Sequence, residues 1–545
     1  MVNYLKNKYI KNTIIIASFF LIAVMTCLIL FVCRFWLFGY DGPFHWQRFL
    51  TFKNNIFSNY DLSSTMGSAV MSFYPKLNLV SISILSIFIK NTWLLLYANF
   101  IFQIFIGLNI AYYTCQKYTK KFLVSYIFAF VFMTAMPIIN WYFGLLDLGL
   151  ITAYLFLPLV LFGTLNFIEK NEYIELAIGL TLIFMSHILT FVFASLFVFI
   201  FFLFNVHNFK LVDYLNILKI SFLVLCTNAF YWLMIVRLEW FNQINKPHFQ
   251  TLQGFPESTM YIEKNGLVQV LIIMGLGIFF FEKFSKINKQ IYLVTVIVTI
   301  LSSRIIPWHL LDHTPVGVIQ FPTRFMILAL LTTSYLIAVM GSIVLKSMSN
   351  WKIYFAISAL AILCMNLYNQ WGTMNTAYFS SWGSKVVNNR LVSYRIDNGK
   401  HIKVTDIDTG DFADYVPKSN LMRYIDVYYH TGYDEEKNPI IFNANGNGEL
   451  RFNNDALKKR LHLPFIGYKG QQYNVSLNGK KFNYYLDKEQ VITIKNVSKG
   501  VKTIKITLVK GLIDYLAYIL TAMGLLTYLF IGFKYLLKNY LKVRK

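Results

Sequence analysis

The stretch Gly39-Tyr40-Asp41-Gly42-Pro43-Phe44-His45-Trp46-Gln47-Arg48 follows directly on the first long apolar segment, residues 13–38. It sets a carboxylate, an imidazole and a guanidinium at the lip of a membrane helix. Gly42-Pro43 predicts a turn, because proline fixes φ and glycine tolerates conformations that other residues avoid. If residues 43–53 then turn helical, His45 and Arg48 share a face at i, i+3. Asp41 would stand at the start of that helix, where negative charge is favoured. The competing reading is a solvated loop of ordinary membrane anchors, and the rest of the chain has to weigh the two.

The chain has 545 residues, 56% of them apolar and 18% aromatic, with 14% charged. Several apolar runs reach the roughly 18–20 residues needed to cross a bilayer, so the expected class is a polytopic α-helical membrane protein. The net charge of +24 lies largely in short loops between apolar runs. That is the bias that orients helices, and no nucleic-acid partner is inferred from it. The first apolar segment reads as an uncleaved signal anchor, being long and without a small-residue cleavage site. The cysteines Cys27, Cys33, Cys115, Cys226 and Cys364 lie in or beside apolar runs without metal-ligand spacing. Neither disulfides nor a cysteine metal site is expected.

Lys6, Lys8 and Lys11 place the N-terminus in the cytoplasm. Segment 13–38 then leads to an external loop, 39–75, with Asp61 and Phe73-Tyr74-Pro75-Lys76. Residues 77–90 are apolar but short, and read as interfacial, which extends the external region over 39–92. Segment 93–115 returns to Lys117, Lys120 and Lys121, 122–139 goes out, and 148–167 comes back. Residues 174–206, about 33 in number, are too long for one crossing and are split into two helices near Thr190. Segments 214–236, 267–282, 290–305, 323–345 and 353–371 continue the alternation.

Residues 372–510 are polar and carry no spanning run. Tyr473-Asn474-Val475-Ser476-Leu477 and Lys480-Lys481-Phe482-Asn483-Tyr484 alternate on either side of Asn478-Gly479, a strong hairpin signal. Residues 491–494 and 503–508 read as further strands. The expected organisation is a transmembrane domain over 1–371, a small extracytoplasmic β-sandwich over 372–510, and a last helix with a basic cytoplasmic tail over 511–545. The expected total is about twelve transmembrane helices.

Chemistry-bearing residues fall mostly on one side of this topology. Asp147 sits among leucines with no evident local partner; it is either a loop acid facing water or an acid facing a cavity shared with Asp41. His187 lies near the external end of its helix, and Arg237 in an external loop, 237–266. Gln320-Phe321-Pro322-Thr323-Arg324-Phe325 opens a returning helix, with Pro322 suited to its start. Arg324 is then either a snorkelling anchor or a planar fork for phosphate. His309, Asp312 and His313 have spacings compatible with a metal site. A Gly-rich phosphate loop, a nucleophile elbow and HExxH are all absent from the sequence.

An acidic motif after the first helix, a second acid in the second external loop, many spans and an external C-terminal domain together resemble the GT-C glycosyltransferases. More closely, the chain resembles the YfhO-like and PTPS-related bacterial membrane proteins. The likeness rests on Tyr40-Asp41-Gly42-Pro43-Phe44-His45, Phe73-Tyr74-Pro75, Ser186-His187, Gln320 to Phe325, Leu463-Pro464-Phe465 and Asn478-Gly479-Lys480, in that order. It departs at Lys76, where relatives often have a second proline, and at Asp147, which stands alone where some relatives carry a pair of acids. The resemblance implies sugar transfer outside the bacterial cytoplasmic membrane, from a polyprenyl-phosphate-linked donor to an envelope glycopolymer or protein. Asp41 and Asp147 are then the catalytic acids, Asp41 serving as base or as ligand of a divalent metal. His45, Arg48, His187, Gln320 and Arg324 bind substrate. The alternative is a non-catalytic export or flippase subunit, or a scaffold. A transporter should show paired, interrupted helices, and the sequence shows no such pair.

Overall fold

Apolar runs bounded by caps and basic residues become helices over most of the first two thirds of the chain. The computed structural model describes residues 2–33, 42–62, 65–135, 137–138, 141–142, 146–246, 270–303, 306–311, 314–319, 322–350, 383–387, 390–397, 400–403, 414–421 and 423–544. The first helices are α1 (Val2–Cys33), α2 (Gly42–Asn54), α3 (Val70–Phe73), α4 (Leu77–Phe88), α5 (Thr92–Thr119) and α6 (Phe122–Met133). Then come α7 (Leu148–Lys170), α8 (Ile174–Ser186), α9 (Ile188–Asn205), α10 (Leu211–Thr227) and α11 (Ala229–Phe241). After a helical stretch at 270–280 follow α12 (Lys286–Leu301) and α13 (Met326–Lys346), and, within the β region, α14 (Tyr424–Tyr428). The last helix is α15 (Leu512–Arg544).

Local chemistry sets several of these ends. Asn91 caps α5 by accepting from the Leu94 N–H, and Ser285 caps α12 by accepting from Asn288. Lys120 and Asn171 end α5 and α7 in the left-handed conformation.

Six helices among the described residues are long and apolar enough to cross a membrane, and seven if α10 and α11 count as one bent span. The chain is therefore a multi-pass membrane protein. The expected count of about twelve is not reached among the described residues. The segment expected at 353–371 lies outside them, and α4, α6 and α8 are apolar but shorter. A helix of 12 residues such as α6 rises only about 18 Å, against a hydrocarbon core of about 30 Å. The run 174–206 does split, at His187 rather than near Thr190. Segment 214–236, expected as one crossing, falls on α10 and α11, which bend by 71° between them. The sequence carries no proline there; the break falls at Asn228, whose side-chain amide donates to the Val224 carbonyl. Arg237, expected in a loop, lies within α11.

The described chain forms two compact units whose borders cut across the sequence. One comprises Met1–His45, Leu77–Ile220 and His248–Thr405; the other comprises Trp46–Lys76, Ser221–Pro247 and Asp406–Lys545. In the first, α7 is the most enclosed of the long helices and packs on α5, α8 and α9, while α13 packs on α6 and α12. A Cβ on Gly163 would lie 2.6 Å from the Leu176 backbone nitrogen, so α7 and α8 touch at a spot only glycine fits. This unit also carries the antiparallel strands β1 (Gly383–Val387), β2 (Arg390–Asp397) and β3 (Lys400–Lys403).

The second unit is built on two five-stranded antiparallel sheets. Their strands are β4 (Thr431–Asp434), β5 (Pro439–Ile441), β6 (Asn443–Ala444), β7 (Glu449–Asn454), β8 (Lys458–Ile466), β9 (Gln472–Leu477), β10 (Lys480–Phe482), β11 (Tyr484–Leu486), β12 (Val491–Val497) and β13 (Gly500–Val509). The sheet orders are β10-β9-β13-β7-β6 and β11-β12-β8-β4-β5. Leu450, Phe452, Val475 and Ile506 of one sheet share a buried core with Leu461, Leu463, Ile492 and Ile494 of the other, which makes a sandwich. The Asn478-Gly479 hairpin forms as expected, with φ of 50° and 79° at the two turn residues. β8 runs on through Pro464, and its register with β12 shifts between His462 and Ile466, where the proline cannot donate to the ladder. Residues 65–68 pack on this sandwich. Ile466 N donates to Met66 O, and Gly67, at φ 87°, brings its backbone so near that a Cβ would lie 2.2 Å from the Ile466 carbonyl.

Candidate functional site

In the helical unit the chain before α7 makes a turn that glycine would normally occupy. Leu146 adopts φ 54°, an unfavourable conformation for a leucine, and is buried in it. Its N–H donates to Tyr142 O, and the Asp147 N–H to Trp141 O. The turn sets Asp147 as the N-cap of α7, where Oδ1 accepts from the Leu150 N–H at 3.0 Å. So Asp147 does have a local partner, contrary to the sequence reading. Sequence offered the signal: an aspartate directly before a long apolar helix.

Around this carboxylate stand groups distant in sequence. His45 Nε2 lies 3.7 Å from Asp147 Oδ1, and both side chains are buried. Burial alone would raise the Asp147 carboxyl, but His187, His45, the Leu150 N–H and Arg324 together hold it below the ordinary carboxylate range. Asp147 is thus an ionised acid in a buried place. His187 closes α8 and opens α9; its Nδ1 accepts from the Thr190 N–H at 3.2 Å and lies 2.8 Å from Thr190 Oγ1. Arg324 sits in the short 3₁₀ turn Pro322–Phe325 that leads into α13, with Nη1 donating to the Ile319 carbonyl at 3.3 Å. Phe325 beside it packs on Phe193 and Trp308. Three helices, α7, α9 and α13, therefore begin at or beside these residues, and helix N-termini favour negative charge.

Of the residues singled out in the sequence, His45, Asp147, His187 and Arg324 come together in this unit. Asp41 and Gln320 lie outside the described residues, as do Asp312, His313 and the His309 side chain. Among the described residues no group of three or more His, Cys, Asp or Glu is arranged to hold a metal ion, so no metal-dependent step is drawn from them.

Arg48 serves the β-bearing unit. Its Nη2 donates to the Tyr74 and Pro75 carbonyls at 3.1 and 2.8 Å, and its guanidinium lies 4.2 Å from the Tyr74 ring centre. Next to it is a residue to which sequence reasoning gave no role, Lys76. Burial and then the neighbouring Arg48 pull its amine down to about 7. Lys76 Nζ donates to Ile56 O and Asn59 Oδ1 and faces the Phe230 ring at 5.0 Å, partners that suit an ammonium ion tying this segment together. Asp61 accepts from Thr51 Oγ1 and from the Thr65 N–H, and so shapes the same segment.

The fold defines a multi-pass membrane protein that carries a two-sheet β-sandwich. No family model and no curated protein matches the chain. Among solved structures it is similar to the single-particle cryo-EM structure of arabinofuranosyltransferase AftD from Mycobacteria, with a TM-score of 0.42 and 12% identity over 66% of this chain and 26% of that one. A mutant of the same enzyme matches at TM-score 0.41 and 11% identity, over 65% of this chain and 27% of the other. The match thus spans about a quarter of the length of AftD.

Proposed function

We propose that this chain is a GT-C-type, YfhO-like membrane glycosyltransferase that moves a sugar from a polyprenyl-phosphate-linked donor to an envelope acceptor on the extracytoplasmic face. The observation that carries this reading is the buried Asp147 carboxylate among His45, His187 and Arg324. It is an ionised acid beside cationic and hydrogen-bonding groups that suit a phosphate. The reaction class comes from the family resemblance in the sequence. In this reading an acceptor hydroxyl attacks the anomeric carbon, and its proton passes to the Asp41 carboxylate. The bond from the sugar to the phosphate oxygen breaks, and the departing phosphate takes the electron pair. Arg324 meets that phosphate, and Asp147 holds His45 and orders the cavity. The sandwich would then lie outside the membrane.

The test is to incubate the purified protein with radiolabelled polyprenyl-phosphate sugars and follow sugar release. Wild type should release sugar, and Asp41→Asn should be slower by about 10²–10⁴. No release by wild type with any donor, or an unimpaired Asp41→Asn, would refute the reading. One observation favours the export alternative: the 71° bend between α10 and α11, since interrupted helices mark many transporters. An exporter would move lipid-linked substrate across a vesicle membrane without releasing sugar.

A further inference from the structure

Within the β-bearing unit, side-chain pairs fix the level at which the sandwich meets its two helices. α11 runs antiparallel to α15: Arg237 donates to Asp514 at 2.7 Å, the Phe230 N–H donates to Thr521 Oγ1 at 3.0 Å, and the Phe230 ring lies 5.4 Å from that of Tyr518. The apolar span of α15 begins at Leu512, which sets the membrane border there and at the end of α11, where Trp240 stands exposed. Tryptophan is enriched at that border. The sandwich follows at once. The Asn245 N–H donates to Val416 O and the Lys418 N–H to Gln243 O, each at 2.8 Å, and Asn242 exchanges two hydrogen bonds with the backbone of Lys469. Three residues beyond Lys418 an amphipathic stretch begins. Tyr424 and Val427 of α14 are buried in the sandwich core. Leu421, Ile425 and Tyr429, spaced by four, are 39%, 51% and 47% exposed. That spacing sets them on one face. The acids nearby are paired, Asp426 and Glu489 with Arg423 and Glu239 with Lys246. Lys418, Lys469 and Lys510 are exposed and make no ion pair among the described residues.

We propose that α14 and its flanks are a foot by which the sandwich rests on the lipid surface. Leu421, Ile425 and Tyr429 enter the boundary between headgroups and acyl chains, and Lys418, Lys469 and Lys510 meet anionic headgroups. An amphipathic helix at the membrane border buries its apolar face in that boundary layer. Cations beside it are drawn to anionic lipid. In water the same three side chains would form an exposed apolar stripe. The lysines favour lipid over a second copy of the chain. A symmetric contact through this face would set lysines against lysines, with the neighbouring acids already paired. The foot stands apart from the transfer reaction; it holds the sandwich at a fixed height on the membrane.

The test uses the full chain in lipid nanodiscs, with a photo-reactive benzophenone amino acid placed at Ile425. Illumination should attach lipid at that site, read by mass spectrometry of the digested chain. The same amino acid at Leu421 gives a second reading if the first variant does not fold. Val501, 71% exposed, is the control. It stands at the end of β13 remote from α15, about 27 Å along the strand from Val509, and should collect no lipid. Labelling at Ile425 should be about threefold or more greater in phosphatidylglycerol discs than in phosphatidylcholine discs. Lys418→Gln combined with Lys469→Gln should reduce that preference. The proposal is overturned by an absence of lipid adducts at both Ile425 and Leu421, or by equal labelling at Val501. A covalent link to a second copy of the chain in place of lipid overturns it as well. A yield indifferent to headgroup charge overturns the part given to the lysines.

Discussion

In the β-bearing unit, Arg237 of α11 donates to Asp514 in the first turn of α15 at 2.7 Å, and Asp514 also accepts from the Gly511 N–H. Lys458 reaches Asp434 at 2.8 Å, and Asn438 and Glu436 complete the shell of that carboxylate. In the helical unit several groups bear on one acid. His45 stands 3.7 Å from Asp147, while His187 and Arg324 each hydrogen-bond elsewhere and act on the carboxylate through space. The acid itself is delivered by a leucine in the left-handed region. Short, direct hydrogen bonds are what a fold uses to seal a buried charge. Several groups turned toward one acid, on a strained turn, is the arrangement found where chemistry is done. On the proposed reading, the contrast separates buried charges that hold the fold from those that serve the site.

The largest expected effect bears on the functional side of that contrast. Asp147→Asn keeps a side chain that caps helices well, so the protein should insert and melt as wild type does. Turnover in the donor assay should fall by about 10²–10⁴. If Asp147→Asn melts far below wild type and an activity loss merely follows the unfolded fraction, Asp147 belongs with the structural pairs and the contrast fails.

Arg237→Met addresses the structural side. It leaves Asp514 buried without its partner and should destabilise the protein by about 3–5 kcal/mol. Adding Asp514→Leu should restore most of that loss, and neither variant should change the donor specificity of the folded protein. Thermal unfolding of the detergent-solubilised protein reads both. Equal stability of the single and the double variant would show that the two residues are not coupled.

The smallest effect concerns Asp434. Burial opposes ionisation of this side chain, but Lys458, Asn438 and Glu436 outweigh it and bring its carboxyl down to about 2. A depressed acid stabilises the fold at pH values above its unfolded value, roughly 4, and that contribution is lost as pH falls through the folded value. Asp434→Asn should therefore cost about 1–2 kcal/mol at pH 7, allowing for screening by water, and almost nothing near pH 2. Chemical denaturation at the two pH values measures the difference, and a loss that persisted at pH 2 would assign it to packing.

What could be read from the sequence had its cause within a few residues. Apolar runs long enough to span announced a membrane protein, and α5, α7 and α13 appear close to where they were expected. Asn478-Gly479 announced its hairpin because a two-residue turn with positive φ at both positions selects those residues. The overlong run 174–206 announced a break, though not its position, since His187 ends one helix and caps the next by a bond that no propensity records. His45 and Asp147 were each legible as candidates; their meeting was not, because 101 residues separate them and no short-range signal sets the distance. The pairing of Arg237 with Asp514 was hidden for the same reason, as was the bond from Ile466 of β8 to Met66. Sequence by itself determined the long apolar helices and the Asn478-Gly479 hairpin, because short-range sterics and hydrophobic period decide those. Tertiary structure alone decided which buried charges meet, because the contact distance between residues far apart in the chain depends on the packing of every element between them.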